Sequence, residues 1–408
     1  MNPKNKKIEH PAYVSYEHLD SADEAGLFYG FTPLALPHIS NHDSADAKSI
    51  SDGDVVIDRD NHEEGATIRL EEKIALLRLY EKEKMASLSQ PIMLSYKKPF
   101  GGDRRKANPK ESHHGLEIIG TNKSIAEAIL LKATLAILSD AGETDLHVEI
   151  NSIGDKESLA RFTRELTAYY RKHMNELSAN CKQHFKKDVF SMLNCDDETC
   201  LKLAEECPKS INFLSEKSRA HFKEVLEFLE TLDVPYVINN GLVANRDYCS
   251  ETIFEVRGSD PKGHPKAIGI RYDTLAKRLG HKKELPAVGV TIATSRKAVK
   301  SDAVKASTVR DILNPQVVFM QLGFEAKLKS LGLVETLRQA RIPVMHSLAK
   351  DKMAGQVGMA EKTQAPIVVI MGKKEAMENS VIVRETSTRS QDTVKLGDVA
   401  SRLKKYKV

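Results

Sequence analysis

The 408-residue chain predicts an α/β protein of the α+β kind, a helix-flanked antiparallel sheet followed by a compact α/β domain. Three observations carry that expectation. Between Leu242 and Ile292 the texture is short strands broken by turns, at Thr252 to Val256, Ala267 to Ile270 and Val288 to Ile292. Upstream, Leu146, Val148 and Ile150 alternate with polar residues, the signature of a half-buried strand. From Val317 onward strands and helices take turns, which folds most simply as one compact α/β unit. Hydrophobic residues make up 41% of the chain, enough to build more than one core.

In chain order, Gly26 to Ile39 is apolar and reads as a helix end, a turn and a strand. Residues 40–66 are polar and read as loops around a short strand near Val55 to Ile57. Ile74, Leu77 and Tyr80 lie near helical spacing within a helix from Glu71 to Ala86. Strands are expected at Ile92 to Tyr96 and Leu116 to Ile119, joined by a loop carrying Arg104, Arg105, Lys106 and Lys110. Ser124 and Glu127 have capping-box spacing ahead of an apolar run to Leu138. Leu159, Phe162, Leu166 and Tyr169 form one helical stripe, and Phe222, Val225, Leu226 and Leu229 another. A strand follows at Val234 to Ile238. The tail is expected to run strand (Val317 to Leu322), helix (Glu325 to Gln339), strand (Val344 to Ser347), polar helix, strands at Ile367 to Met371 and Ser380 to Arg384, and a final helix. The expected organisation is a flexible N-terminus over 1–20 and a core over 21–305 with a helical insertion at about 155–232. A polar joint then leads to a second domain over 314–408.

The net charge of +4 permits contact with a polyanion without demanding it. The first residues are polar and basic with no apolar segment after them, so no secretory signal is expected. The longest strongly apolar run, Ile367 to Met371, is far short of the roughly 20 residues that span a bilayer. A cytoplasmic protein without membrane contact is the expectation. Cys181, Cys195, Cys200 and Cys207 cluster as C-x13-C-x4-C-x6-C, without a tight C-x2-C pair. That spacing favours reduced, partly buried thiols over a zinc site, so no metal is expected there. Walker-type, G-x-G-x-x-G, H-E-x-x-H and G-x-S-x-G signatures are absent, which sets aside the common nucleotide and hydrolase motifs.

Four ordered segments resemble the histidyl-tRNA synthetase family over about residues 20–408. YGFTPLALP is similar to class II motif 1 and ends at Pro37. IRLEEK stands at the place of the family's L-R-P-E-G-T. MLSYKKPFGGDRRKANPKESHHGLEIIG parallels motif 2. LVANRDYCSETIFE, IGIRYDTLAKRLG and PAVGVTIATSR match the histidine-specific motif, the G-G-R-Y-D-x-L segment and motif 3. The stretch VEINSIGDKESLARFTRELTAYY resembles the family's connecting insertion, and the tail resembles its anticodon-binding domain.

The resemblance implies a class II synthetase core with an antiparallel sheet of six or seven strands flanked by helices, plus an anticodon-binding-like α/β domain. It also implies a homodimer through the motif 1 region. ATP with Mg2+ would be used, and histidine and tRNA would be the partners. Glu71 and Glu117 match acids that hold histidine, with His113, Tyr248 and Tyr272 beside them. Arg296 matches the motif 3 arginine that contacts ATP, and Asp103 stands at the motif 2 acid. Two family arginines are replaced, one by Gly101 and one by Ala244. Arg104, Arg105 or Arg246 would have to supply the missing cations, since arginine's planar fork suits phosphate. Arg271 and Asp273 keep the R-Y-D core, either for the site or for packing. Bulk at the later glycine, now Glu251, and at Ile268 and Ile270 would crowd a ligand near the backbone.

Losing two such cations should slow or abolish activation. The function that the resemblance implies is the family reaction, ATP-dependent activation of histidine and its transfer to tRNA, in a form impaired by those losses. The alternative is a degenerate relative that binds tRNA or histidine as a regulatory protein. Lys350, Lys352, Lys373, Lys374, Lys404 and Lys405 in the tail suit RNA phosphates. The complete tail argues against a third reading, a regulatory subunit of histidine biosynthesis.

Overall fold

The computed structural model describes residues 11–35, 37–51, 65–98, 110–243, 246–260, 263–296, 304–348 and 353–406. α1 (Ser21–Phe28) starts at Asp20, whose carboxylate accepts from the Ala22 and Asp23 amides while Asp23 returns the bond, a capping box. β1 (Thr32–Pro33) follows, then α2 (Asn41–Ile50), where loops were expected. The signal for α2 is present but short: Ser40 and Asp43 close a capping box ahead of a polar helix. α3 (Leu70–Lys82) precedes β2 (Ile92–Lys98) and β3 (Glu111–Ile119). The expected strand near Val55 to Ile57 lies outside the described residues.

α4 (Ile125–Asp140) is buried on nearly all sides, as its almost uninterrupted apolar sequence requires. The expected capping box does not form there. Ser124 already has helical angles and donates its hydroxyl to Glu224 at 2.5 Å, while Glu127 turns to Arg271. β4 (His147–Gly154) leads into α5 (Lys156–Lys172), α6 (Ala179–Lys187), α7 (Glu198–Glu206) and α8 (Glu216–Thr231). β5 (Tyr236–Ile238), β6 (Ser250–Arg257), β7 (Ala267–Arg271), the short α9 (Leu275–Arg278) and β8 (Ala287–Ser295) complete this part. The polar joint contains a helix, α10 (Ala306–Leu313), anchored by Val309. The tail runs β9 (Val317–Gln321), α11 (Phe324–Gln339), β10 (Val344–His346), α12 (Met353–Thr363), β11 (Ile367–Met371), α13 (Lys373–Met377), β12 (Ser380–Glu385), β13 (Gln391–Lys395) and α14 (Val399–Lys404). β13 carries one buried residue, Val394, so its pattern gave no strand signal.

The first sheet has eight strands in the order β1-β2-β3-β8-β7-β6-β4-β5, one or two more than expected. The extra strands are the short outer ones, β1 and β5, each parallel to its neighbour; all other neighbours are antiparallel. One face, with Leu116, Ile118, Val288, Val290 and Ile292, packs on α4 and α8. The other, with Leu94, Tyr96, Ile268, Ile270 and Tyr272, packs on α3. The second sheet has the order β10-β9-β11-β12-β13, parallel among the first three and antiparallel after them.

One apolar cluster runs through both sheets by way of α4, α8 and α11, with Phe228 edge-on to Phe324 at 5.5 Å. Polar clasps frame that contact: Tyr29 donates to Glu335 at 2.5 Å and Arg338 pairs with Asp140 at 2.6 Å. No helix among the described residues is long and apolar enough to cross a membrane.

Candidate active site

The candidate site lies on the sheet face covered by α3. Side chains of a strand alternate faces, so His113, Gly115 and Glu117 of β3 share this face. Their cross-strand partners are Lys98, Tyr96 and Leu94 on one side and Ala293, Thr291 and Gly289 on the other. Two glycines make room for what crosses the sheet. A Cβ at Gly289 would fall on the Glu117 carboxylate, and one at Gly115 on the Tyr96 ring.

Glu117 is fully buried and accepts from three donors. Tyr96 donates at 2.8 Å, Tyr272 at 2.6 Å, and the Lys73 ammonium closes an ion pair. Burial, reinforced by the Glu117 charge, holds both tyrosines well above the ordinary phenol pKa, so both remain donors. Lys73 comes from the first turn of α3, as does its neighbour Glu72, which pairs with Lys98 at 2.8 Å. Lys98 also donates to the Thr67 carbonyl at 2.9 Å. Burial pulls Lys98 down in pKa, against the pull of Glu72.

The first turn of α3 thus inserts two charged side chains, both 0% exposed, each matched by an opposite charge on the sheet. Sequence reasoning missed Glu72, Lys73, Tyr96 and Lys98. An E-E-K run in a helix reads as a solvated face, and no local signal marks its burial. In the I-R-L-E-E-K segment Lys73 stands where the L-R-P-E-G-T pattern has threonine.

Of the expected histidine-site residues, Glu117 and Tyr272 are in direct contact. Tyr248 is fully buried, and burial, Cys249 and then Glu71 raise its pKa well above the ordinary value. That places Glu71, half-buried, within electrostatic reach of Tyr248. His113 lies four residues along β3 from Glu117, roughly 13 Å away, and pairs with Glu111 at 2.9 Å. The R-Y-D core divides by face. Tyr272 meets Glu117, whereas Arg271 grips Glu127 of α4 with two bonds of 2.7 Å and reaches Asp273 at 3.2 Å. Arg271 and Asp273 thus engage each other, Glu127 and the Ala287 amide rather than Glu117. Burial would raise Glu127, but Arg271 and then His221, at 2.8 Å, outweigh it and hold the carboxyl at about 2.

The expected cations separate. Arg296 follows the end of β8, exposed, with its amide on the Lys110 carbonyl at 2.8 Å and its guanidinium without a partner among the described residues. It marks the end of the sheet where His113 and Glu111 lie. Burial would raise Glu111, but His113 and the Gly65 amide bring it below the usual carboxylate range. Arg246 does not reach this face. Its guanidinium pairs with Asp188 at 2.7 Å and stacks on Phe190 at 4.0 Å, so the helical insertion claims the cation that was to replace the lost arginine. Gly101, Asp103, Arg104, Arg105 and Ala244 lie outside the described residues, as do Lys350 and Lys352. Glu251, at the position of a family glycine, has φ of 53°, a left-handed conformation that favours glycine. It sits at a register break in β6 and accepts from Ser218 at 2.9 Å.

Residues 316–406 match a family described as "Anticodon binding domain". The chain is 31% identical to a histidine–tRNA ligase of Fervidobacterium nodosum, over 76% of this chain and 73% of that one. It is 29% identical to a histidine–tRNA ligase of Dehalococcoides mccartyi, over 83% and 82%. Among solved structures it shares the fold of apo histidyl-tRNA synthetase from S. aureus, with a TM-score of 0.50 and 22% identity over 97% of this chain and 99% of that one.

Proposed function

The chain belongs to the histidyl-tRNA synthetase family, and from that premise we propose that it activates histidine with ATP and transfers the histidyl group to tRNA. The observation that carries the reading is similarity across both the sheet domain and the anticodon-binding tail. A degenerate relative that only binds tRNA or histidine is the less favoured alternative. We assign residues 21–305 to the catalytic core, with the insertion at about 155–232, and 314–408 to the tail that would hold the tRNA. A homodimer through the region ending at Pro37 goes with this reading.

Glu117, with Tyr96 and Tyr272 as fixed donors around it, would orient the cationic histidine ring, and Glu71, beside Tyr248, its ammonium. Histidine must then take over the charge that Lys73 now supplies to Glu117. ATP would bind at the β8 end. Arg296 is exposed there, free to fork onto phosphate oxygens, and Glu111 is the ionised acid nearest in register. Asp103 and Arg104 would complete that end, and Mg2+ would arrive with the nucleotide and neutralise its phosphates. The carboxylate of histidine attacks the α-phosphorus, the phosphoric anhydride bond breaks, and pyrophosphate leaves. Arg296 stabilises the charge that develops.

The test is histidine-dependent exchange of pyrophosphate into ATP by the full chain, beside a panel of other amino acids. Exchange with histidine, reduced roughly 100-fold or more in Arg296→Ala, is expected. A folded chain that exchanges with no amino acid would leave the degenerate reading.

A further inference from the structure

Three cysteines of the helical insertion converge. The sulfurs of Cys181, Cys195 and Cys200 all lie within 4.8 Å of one another, and Cys181 and Cys195 are 3.6 Å apart. That spacing is far too long for a disulfide. It is close to the ~3.8 Å between thiolates at the corners of a tetrahedron with metal–sulfur bonds of ~2.3 Å. The backbone directs two of the three. Ser178 caps α6 and Asp197 caps α7, so Cys181 and Cys200 both occupy the third helical position, where the helix dipole favours negative sulfur. The Ser178 hydroxyl donates to the Cys181 sulfur at 3.0 Å. Cys195 follows the short helical turn Val189–Asn194 and is half-buried, which leaves the cluster open to solvent on its side.

A second observation points the same way. The Tyr170 hydroxyl, on a side chain with 0% exposure, has no hydrogen-bond partner. It lies within electrostatic reach of Cys207, Cys200 and Cys195. A buried, unpartnered donor near Cys200 and Cys195 is costly unless those two thiols carry charge. Cys207 is not in the set: it lies seven residues past Cys200, two helical turns or ~10 Å away, with its thiol directed to the Pro208 carbonyl. The insertion's own core is small, with short helices packed on one face of α5, and suits a metal staple.

We propose that Cys181, Cys195 and Cys200 bind one structural zinc ion, with solvent as the fourth ligand. On binding, three S–H bonds break, the protons pass to solvent, and three zinc–sulfur bonds form with no change of oxidation state. The net charge left on the cluster is −1, which the Ser178 and Tyr170 hydroxyls and the two helix N-termini offset.

The experiment is metal analysis of the reduced full-length chain after Zn2+ loading and gel filtration, with replacement by Co2+ as a second readout. About one zinc per chain is expected, and the cobalt form should show thiolate-to-metal charge-transfer absorption. Cys200→Ser and Cys181→Ser should lose at least tenfold in zinc affinity, while Cys249→Ser and Cys207→Ser retain it. The parent chain decides the matter if a variant fails to fold. A reduced, folded parent that takes up no zinc would sink the proposal, as would a Cys181–Cys195 disulfide in place of metal.

Discussion

At Glu117 the chain buries a carboxylate and answers it with a lysine of its own, and the energetics of that pair are steep. Removing one partner of a buried ion pair leaves the other charge uncompensated, at a cost of about 3–5 kcal/mol, whereas removing both can be nearly neutral. Lys73→Met is therefore expected to lose about that much stability to urea denaturation, and Lys73→Met with Glu117→Gln to recover most of it. A single variant within about 1 kcal/mol of the parent would mean the two groups are not coupled. The same pair bears on the substrate. A cationic ligand at Glu117 has to displace the Lys73 ammonium, so Lys73→Thr is expected to lower the KM for histidine in the exchange assay about tenfold, with a smaller effect on kcat. An unchanged KM would place histidine elsewhere.

Elements are held by polar contacts that local sequence describes unevenly. Asp155 is a working cap: it accepts from the Ser158 amide at 2.9 Å and from the Ser215 hydroxyl at 2.7 Å, tying the start of α5 to the start of α8. Asp155→Ala is expected to cost about 1–2 kcal/mol. Ser124→Ala should cost only the bond to Glu224, about 0.5–1.5 kcal/mol, because Ser124 caps nothing. Between α4 and β7, Glu127 is held at about 2 against an ordinary 4.5. Because the folded value is depressed, the stability it supplies is full above 4.5 and drains away as pH falls from 4.5 to about 2. Glu127→Gln should lower stability at neutral pH and flatten the acid limb of a Tm-against-pH curve. A limb of unchanged slope would assign acid unfolding to other carboxylates.

For the molecule as a whole, the contact between the two sheets has its own pH response. His346 of β10 is half-buried beside Gly30, with both ring nitrogens shut off from solvent, and that desolvation takes it from 6.5 to about 4, against a smaller opposing pull from the Phe28 and Tyr29 backbone. For a base with a depressed folded value, stability is full above 6.5 and lost as pH falls from 6.5 towards 4, by at most about 3 kcal/mol. Hydrogen exchange at α1 and β10 should quicken over that window before the rest of the chain responds, and His346→Gln should remove the step. Exchange that quickens uniformly would mean the two sheets open together. Tyr29, whose backbone faces this histidine, also donates its hydroxyl to Glu335 of α11, so the window reports the seam between the parts.

By itself the sequence determined the strand-rich middle, the alternating tail and the family, because each is written locally. Alternation marks the strands of the first sheet, helical stripes mark α5 and α8, and ordered motifs mark the resemblance. It also named Glu117 and Tyr272 as one group. What it left open turned on distance. Whether Lys73 is a surface lysine or a buried counter-ion depends on Glu117, 44 residues away. Whether Arg271 serves the site depends on which face of β7 it takes, and whether Arg246 serves it depends on Asp188 and Phe190 of the insertion. The three sulfurs meet only because two capped helices start at one place, with no C-x2-C spacing to announce it. A charged or polar side chain carries the same local pattern buried or exposed. Its environment is decided by strand register and helix docking, so only the tertiary structure could place it.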